Sequence, residues 1–195
     1  GLANGITNLH NARRARTPIV NVVGDHASWH LEYDAPLTSD IDALAGTVSR
    51  WVGTVDGPDT VAAMTAQAVR ESLADGGGGA TLIVPVDFQQ LPVADSARSG
   101  ASAPAAGSRP ASDGVATTAE RLRQARRAAV LLGGNALTRA GQEAAGRLAA
   151  SRPGVVLFSD TFPARTERGG GLVDIPRLPY FPERAIAALA DCDVV

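Results

Sequence analysis

GLANGITNLHNARRARTPIVNVVGDH, residues 1–26, is the stretch whose reading decides the fold. Leu2, Ile6 and Leu9 recur at helical spacing, and Arg13, Arg14 and Arg16 fall in the last turn, where cations suit the helix dipole. Thr17-Pro18 closes the helix, because the residue before a proline is pushed out of the helical region. Ile19-Val20-Asn21-Val22-Val23 then reads as a buried parallel strand, its β-branched residues running on without strict alternation. The strand stops at Gly24-Asp25-His26, a polar loop at a strand's carboxyl end, and parallel α/β sheets hold their ligands at that edge. No strand leads into the opening helix, so the sequence reads as a piece of a larger protein that starts inside an α/β unit.

The alternation continues outward from there. Residues 25–36 hold His26, Trp29, His30 and Tyr33 without a regular period and read as a loop. Thr38 or Ser39 caps a short helix through Leu44, and residues 48–52 form a short strand. A helix from Asp59 or Thr60 to Leu73 turns Val61, Met64, Ala68 and Val69 to one face. Residues 76–79, all Gly, form a flexible hinge before a second buried strand at 80–84, which ends at Pro85-Val86-Asp87. Helices and strands in this order imply an α/β fold with a mostly parallel, helix-covered sheet.

Composition changes at about Ala94. Residues 95–116 are nearly all Ser, Ala, Gly, Pro, Arg and Asp, with almost nothing to bury, and read as an interdomain linker. A second α/β unit follows over 117–195: a helix at 117–127, a strand at 129–132, the turn Gly133-Gly134-Asn135, a helix at 136–150 and a strand at 154–158. A loop rich in Gly, Pro and Arg leads to a helix at 183–190. Asp193-Val194-Val195 reads as the start of another strand, so this end too reads as cut.

Bulk properties exclude several classes. At 195 residues the chain accommodates one large or two small domains. A net charge of −2 argues against a nucleic-acid partner, which selects a basic face. No apolar run approaches the roughly 20 residues of a membrane span, and no signal peptide opens the chain, so a cytoplasmic location is expected. Every basic residue is Arg, which removes Schiff-base and P-loop lysine chemistry. The single Cys192 and three His without HExxH spacing give no metal-site signature.

Read as residues alone, Asn4 is a helix-start Asn of the kind that bonds backbone amides. His26 and His30 are either surface-loop histidines or, at a strand's carboxyl edge, a proton-transferring pair, since imidazole exchanges protons near neutrality. His10 lies mid-helix and reads as structural. The turn at Gly133-Gly134-Asn135 is not GxGxxG and reads as a tight turn, though glycine turns also approach phosphates. Arg165, Arg168 and Arg177 around Gly169–Gly171 suit either an anion or a solvated loop.

Taken together, these features resemble thiamine-diphosphate-dependent enzymes of the acetolactate synthase and benzoylformate decarboxylase group. Gly1-Leu2-Ala3-Asn4-Gly5-Ile6-Thr7-Asn8-Leu9, with Ala12, matches that family's helix after a Gly-Pro-Gly turn. The Pro18-Ile19-Val20 strand, the Leu82-Ile83-Val84-Pro85-Val86-Asp87 strand end, Leu131-Leu132-Gly133-Gly134-Asn135-Ala136-Leu137 and Phe162-Pro163-Ala164-Arg165 follow in matching order. The resemblance implies the C-terminal part of a parallel-sheet pyrimidine-binding domain at 1–94 and the N-terminal part of a Rossmann-like central domain at 117–195.

It also implies an enzyme acting on a 2-oxo acid by decarboxylation, with or without carboligation, as a homodimer or tetramer. Gly1 and Asn4 then border the aminopyrimidine of thiamine diphosphate. Leu37 takes the place of a family Gln near the substrate, which trades a hydrogen bond for an apolar wall and suits a bulkier or more apolar 2-oxo acid. His26 and His30 fall near the family's proton-transfer groups. The family's catalytic Glu lies upstream of Gly1, and its magnesium-diphosphate motif, Gly-Asp-Gly followed by Asn, is matched by Gly24-Asp25 alone, since no Asn occurs between Asn21 and Asn135. Diphosphate and magnesium are therefore expected on a domain outside this chain, and FAD or ADP is an option for the central domain. The rival reading is a non-catalytic nucleotide-binding or regulatory module built on the second unit.

Overall fold

The computed structural model describes residues 1–94 and 110–195, so most of the expected linker lies outside the described residues. The chain divides into two compact units, Gly1–Ala106 and Gly107–Val195. Among the described residues, no helix is long and apolar enough to cross a membrane.

In the first unit, α1 (Leu2–Arg14) is followed by β1 (Ile19–Asp25), α2 (Ile41–Gly46), β2 (Trp51–Thr54), α3 (Val61–Leu73) and β3 (Gly79–Pro85). The strands form a parallel sheet in the order β1-β3-β2. Every residue of β3 is buried, the pattern of a central strand covered on both faces. Its one polar side chain, Thr81, is satisfied by Asn21 Nδ2, which donates at 3.2 Å, and by a hydroxyl–hydroxyl bond to Ser49 at 2.6 Å.

Strand β1 departs from expectation. It pairs with β3 over its whole length, from Ile19 opposite Gly79 to Asp25 opposite Pro85, yet Val22 is 63% exposed. As an edge strand it is only partly covered, and a β-branched run cannot by itself tell an edge from a centre.

Local hydrogen bonding moves other boundaries. The expected loop after β1 contains a 3₁₀ turn, Ser28–Tyr33. Helix α2 is capped by Asp40, whose Oδ1 accepts from Ala43 N at 2.9 Å, in place of Thr38 or Ser39. Strand β2 begins at Trp51, three residues beyond the expected Val48, because its pairing starts with Trp51 opposite Ala80. The expected glycine hinge is a packed link: Gly77 (φ 102°) and Gly78 are buried, and a Cβ on Gly77 would collide with the carbonyl oxygen of Arg16.

The second unit holds α4 (Ser112–Gln124), β4 (Ala128–Leu132), α5 (Arg139–Ser151), β5 (Val155–Ser159) and α6 (Pro182–Leu189). Strands β4 and β5 pair in parallel, Ala128 opposite Val155 through Leu132 opposite Ser159, and bury Leu132, Leu137, Ala145, Val155 and Leu157 together. Helix α4 starts inside the stretch expected to be linker. Its first turn, Ser112-Asp113-Gly114, has linker composition, but Asp113 suits a helix amino end and Leu122 packs on the core. At its other end the Arg152 guanidinium donates to the carbonyls of Leu122, Arg123 and Ala125 at 2.6–2.7 Å. Val194 makes a parallel bridge to Ala128, and the Asp193 carboxylate accepts from the backbone N–H groups of Arg126 and Arg127, each at 2.9 Å.

Candidate functional site

Pairing of Asp25 with Pro85 brings the ends of β1 and β3 level, so the loops after both strands leave from one edge of the sheet. Val86 N donates to Asp25 O at 3.1 Å and ties the two exits. At this edge, beside the start of α1, lies a cleft of about 480 Å³. Gly1, Leu2 and Ala3 line it from α1, Val23 to His26 from the end of β1, Leu37 to Leu44 in part from the segment around α2, and Val86 from the exit of β3.

Three of the nominated residues meet here: Gly1, His26 and Leu37. Leu37 is 84% exposed, so its side chain forms an open rim. His26 is half-buried; its backbone N–H donates to Asp25 Oδ1 at 2.7 Å, and its Nδ1 lies 3.6 Å from the same oxygen. His30 does not line the cleft but stacks on His26, with ring centroids 5.6 Å apart and planes 24° from parallel. Trp29 meets His30 edge-on at 5.4 Å, and Tyr33 lies 5.8 Å from it. Asn4 sits one turn into α1, exposed and outside the cleft lining, with no side-chain hydrogen bond among the described residues. The backbone-bonding role expected of its side chain is therefore not seen; only its backbone N–H bonds, to Gly1 O at 3.2 Å. His10 is also exposed and outside the lining.

Two residues were missed by reading the sequence, Ser28 and Asp87. The Asp87 carboxylate accepts from Ser28 N at 3.1 Å and from Ser28 Oγ at 2.6 Å. The Ser28 hydroxyl, ahead of the backbone donors and against partial desolvation, holds the Asp87 carboxyl below its ordinary range. The signal was available: the rule that drew attention to Gly24-Asp25-His26 at the end of β1 applies equally to Pro85-Val86-Asp87 at the end of β3.

The donor set tests which part of thiamine diphosphate the cleft would suit. Leu2, Leu37, Ile41 and Leu44 supply apolar sides for a flat heteroaromatic ring, and Asp25, His26 and Ser39 supply polar atoms. No Arg lines the cleft, so its side chains offer a diphosphate no permanent counter-charge. The residues fit the pyrimidine end of the cofactor and not its diphosphate end. Among the described residues, no three His, Cys, Asp or Glu side chains are grouped to hold a metal ion.

The second unit has a different cavity, of about 330 Å³, at the end of β5. Ser159 and Gln142, both buried, line it together with Arg168 and Arg177. Among the described residues neither Arg is in an ion pair, whereas Arg165 lies 3.7 Å from Glu167 and outside the lining. Gly133-Gly134-Asn135 leads into the 3₁₀ turn Gly134–Leu137 and does not line this cavity.

No family model matches the chain. A curated Mycobacterium tuberculosis protein named "Putative acetolactate synthase large subunit IlvX" is 45% identical over 189 residues, covering 97% of this chain and 36% of that protein. The chain thus spans little more than a third of the length of that relative. Among solved structures, a "putative thiamin diphosphate-dependent enzyme" from Mycobacterium smegmatis matches with a TM-score of 0.75 at 24% identity, covering 100% of this chain and 37% of that one. The thiamine diphosphate-dependent 4-hydroxybenzoylformate decarboxylase of Rhodococcus jostii RHA1 matches with a TM-score of 0.79 at 19% identity, covering 100% of this chain and 38% of that one. Both structural likenesses establish the α/β fold. With 45% identity carried along nearly its entire length, the chain is similar to about a third of an acetolactate synthase large subunit-like protein, and its fold is the one found in thiamine-diphosphate-dependent enzymes.

Proposed function

We propose that this chain is part of an enzyme that decarboxylates a 2-oxo acid, with or without transfer of the remaining fragment to an acceptor, and that its cleft receives the aminopyrimidine end of thiamine diphosphate. The observation that carries the reading is the convergence of Gly1, His26 and Leu37 on one cleft at the carboxyl edge of a parallel sheet. It supports an enzyme over a non-catalytic nucleotide-binding module, because that edge is in the first unit and carries groups able to move protons.

When bound, the cofactor supplies the nucleophilic carbon and the electron sink for decarboxylation. Residues of this chain orient and enclose. Gly1 puts no side chain between the start of α1 and a ring in the cleft. Asn4, one turn along α1 and outside the cleft lining, is assigned to a ring nitrogen or amino group on its place in the family's helix pattern alone. Leu37, Ile41 and Leu44 form an apolar wall for the substrate's carbon chain. His26, backed by Asp25, and His30 behind it hold or deliver a proton at an imidazole nitrogen. Magnesium and the diphosphate belong to residues outside this chain.

FAD is kept as a second ligand for the central unit, with Arg168 and Arg177 as the groups that would meet its phosphates in a cavity that Glu167 and Asp174 also line. A homodimer or tetramer accompanies this reading, and the exposed Trp29 and Tyr33 on the turn after His26 are apolar surface that a second subunit would cover. A cytoplasmic location goes with this reading.

Calorimetry on the intact protein tests it: thiamine diphosphate with magnesium should bind, and absence of binding would sink the reading. Titration with FAD tests the second ligand separately. Leu37→Gln should shift selectivity toward smaller, more polar 2-oxo acids while cofactor affinity is retained; identical kcat/KM ratios across a substrate series would refute the role given to Leu37.

A further inference from the structure

We infer that Asp87 is a positioning residue: reaching from the exit of β3, it caps the 3₁₀ turn that follows His26 and carries His30, and so sets both imidazoles beside the cleft. Its catalytic consequence rests on the proposed function, but the clamp itself does not.

The first N–H groups of a helical turn have no partner inside the turn and must find one elsewhere. The residue at the capping position of Ser28–Tyr33 is Ala27, which is buried and has no side-chain acceptor. Asp87 supplies the missing acceptor from another strand, with one oxygen on the Ser28 N–H and the other on its hydroxyl. Among the described residues, these are the only hydrogen bonds joining the turn to any other element; the remaining ones, such as His30 N to Ala27 O at 2.8 Å, are local.

The place of the turn relative to the sheet thus depends on one carboxylate, and the His26–His30 stack depends on that place. Because β1 and β3 end level, Asp87 grips the turn across the short way, strand exit to strand exit. Hydrogen bonds of an ionised acceptor are the stronger kind, and this one has two.

The test uses Asp87→Ala, Ser28→Ala and Ser28→Thr in the intact protein, the last keeping both donors. In the first arm, the rate at which diethyl pyrocarbonate modifies His26 and His30 is followed by peptide mapping. Rates should rise several-fold in Asp87→Ala and Ser28→Ala and stay at the wild-type level in Ser28→Thr; unchanged rates in the first two overturn the clamp, whatever the protein catalyses.

In the second arm, kcat per bound thiamine diphosphate should fall about tenfold or more in Asp87→Ala, with cofactor affinity and KM nearly constant, since misplaced catalytic groups cost turnover before binding. The pH–rate profile of Asp87→Ala should also change shape, whereas Ser28→Thr should keep the wild-type profile. A purely structural loss would lower the bound fraction and leave kcat per bound cofactor and the pH profile unmoved, which would overturn the positioning role. A wild-type protein that binds no thiamine diphosphate refutes the functional reading, and the modification arm still decides the clamp.

Discussion

The two units place different chemistry at the same kind of sheet edge. In the first, the exits of β1 and β3 gather imidazoles, carboxylates and an apolar wall around a cleft without a guanidinium. In the second, the exit of β5 gathers Arg168 and Arg177 over buried Ser159 and Gln142. Parallel topology decides where a ligand goes, and the residues at the strand exits decide what it is. The first edge, with histidine and aspartate, suits proton transfer; the second sets Arg168 and Arg177 beside Glu167 and Asp174, so its charges offset one another.

Each edge is held in place only while the sheet beneath it is rigid, so loss of that support should have the largest effect. Leu82 in β3 and Leu137 after β4 are 2% and 1% exposed and belong to the cores beneath the two edges. Truncation of either to Ala removes buried methyl groups and leaves a cavity, at a cost of about 2–5 kcal/mol, so urea midpoints should fall steeply for both. A loss below about 1 kcal/mol at either site would mean that its edge rests on something other than that core.

The alternation of helices and strands was legible because β3 is a continuous apolar run and because Pro18 and the Arg-rich end of α1 mark a boundary. The exposure of β1 was not legible: Ile19–Val23 reads the same at an edge as in a centre, and only pairing distinguishes them. Within the site, Gly1, His26 and Leu37 were nominated from their place in a family pattern and come together in space. Asp87 escaped because its partner, Ser28, lies 59 residues away in sequence, and no local periodicity encodes a cap supplied by another strand. The start of α4 was hidden for the opposite reason, a local composition typical of linkers on a helix whose Leu122 is held by the core.

Among the described residues, each unit also has one carboxylate held below its ordinary value of 3.8, Asp87 by Ser28 and Asp193 by the backbone N–H groups of Arg126 and Arg127. A lowered folded-state pKa means that the folded chain binds that proton less readily than the unfolded chain. Each group's contribution is therefore complete above 3.8 and lost as pH falls through its lower folded value. Asp87→Asn and Asp193→Asn should each flatten the decline of the urea midpoint below that pH, with little change in slope near neutrality. If only one variant flattens the curve, acid sensitivity belongs to a single unit.

The smallest expected effect separates a tight turn from a ligand loop in the second unit. Gly134 has φ 50°, where a side chain strains the backbone, whereas Gly133 has φ −144°, which any residue adopts. A Cβ on either would meet nothing within 4 Å. Gly134→Ala should thus cost about 1 kcal/mol through backbone strain alone, and Gly133→Ala close to nothing. Both variants should bind any anion taken up by the Arg168–Arg177 cavity as the wild type does, because neither glycine lines it. Loss of FAD or ADP binding in Gly133→Ala, with stability intact, would show the turn's backbone lying against the ligand. It would then move the ligand edge of the second unit from β5 to β4.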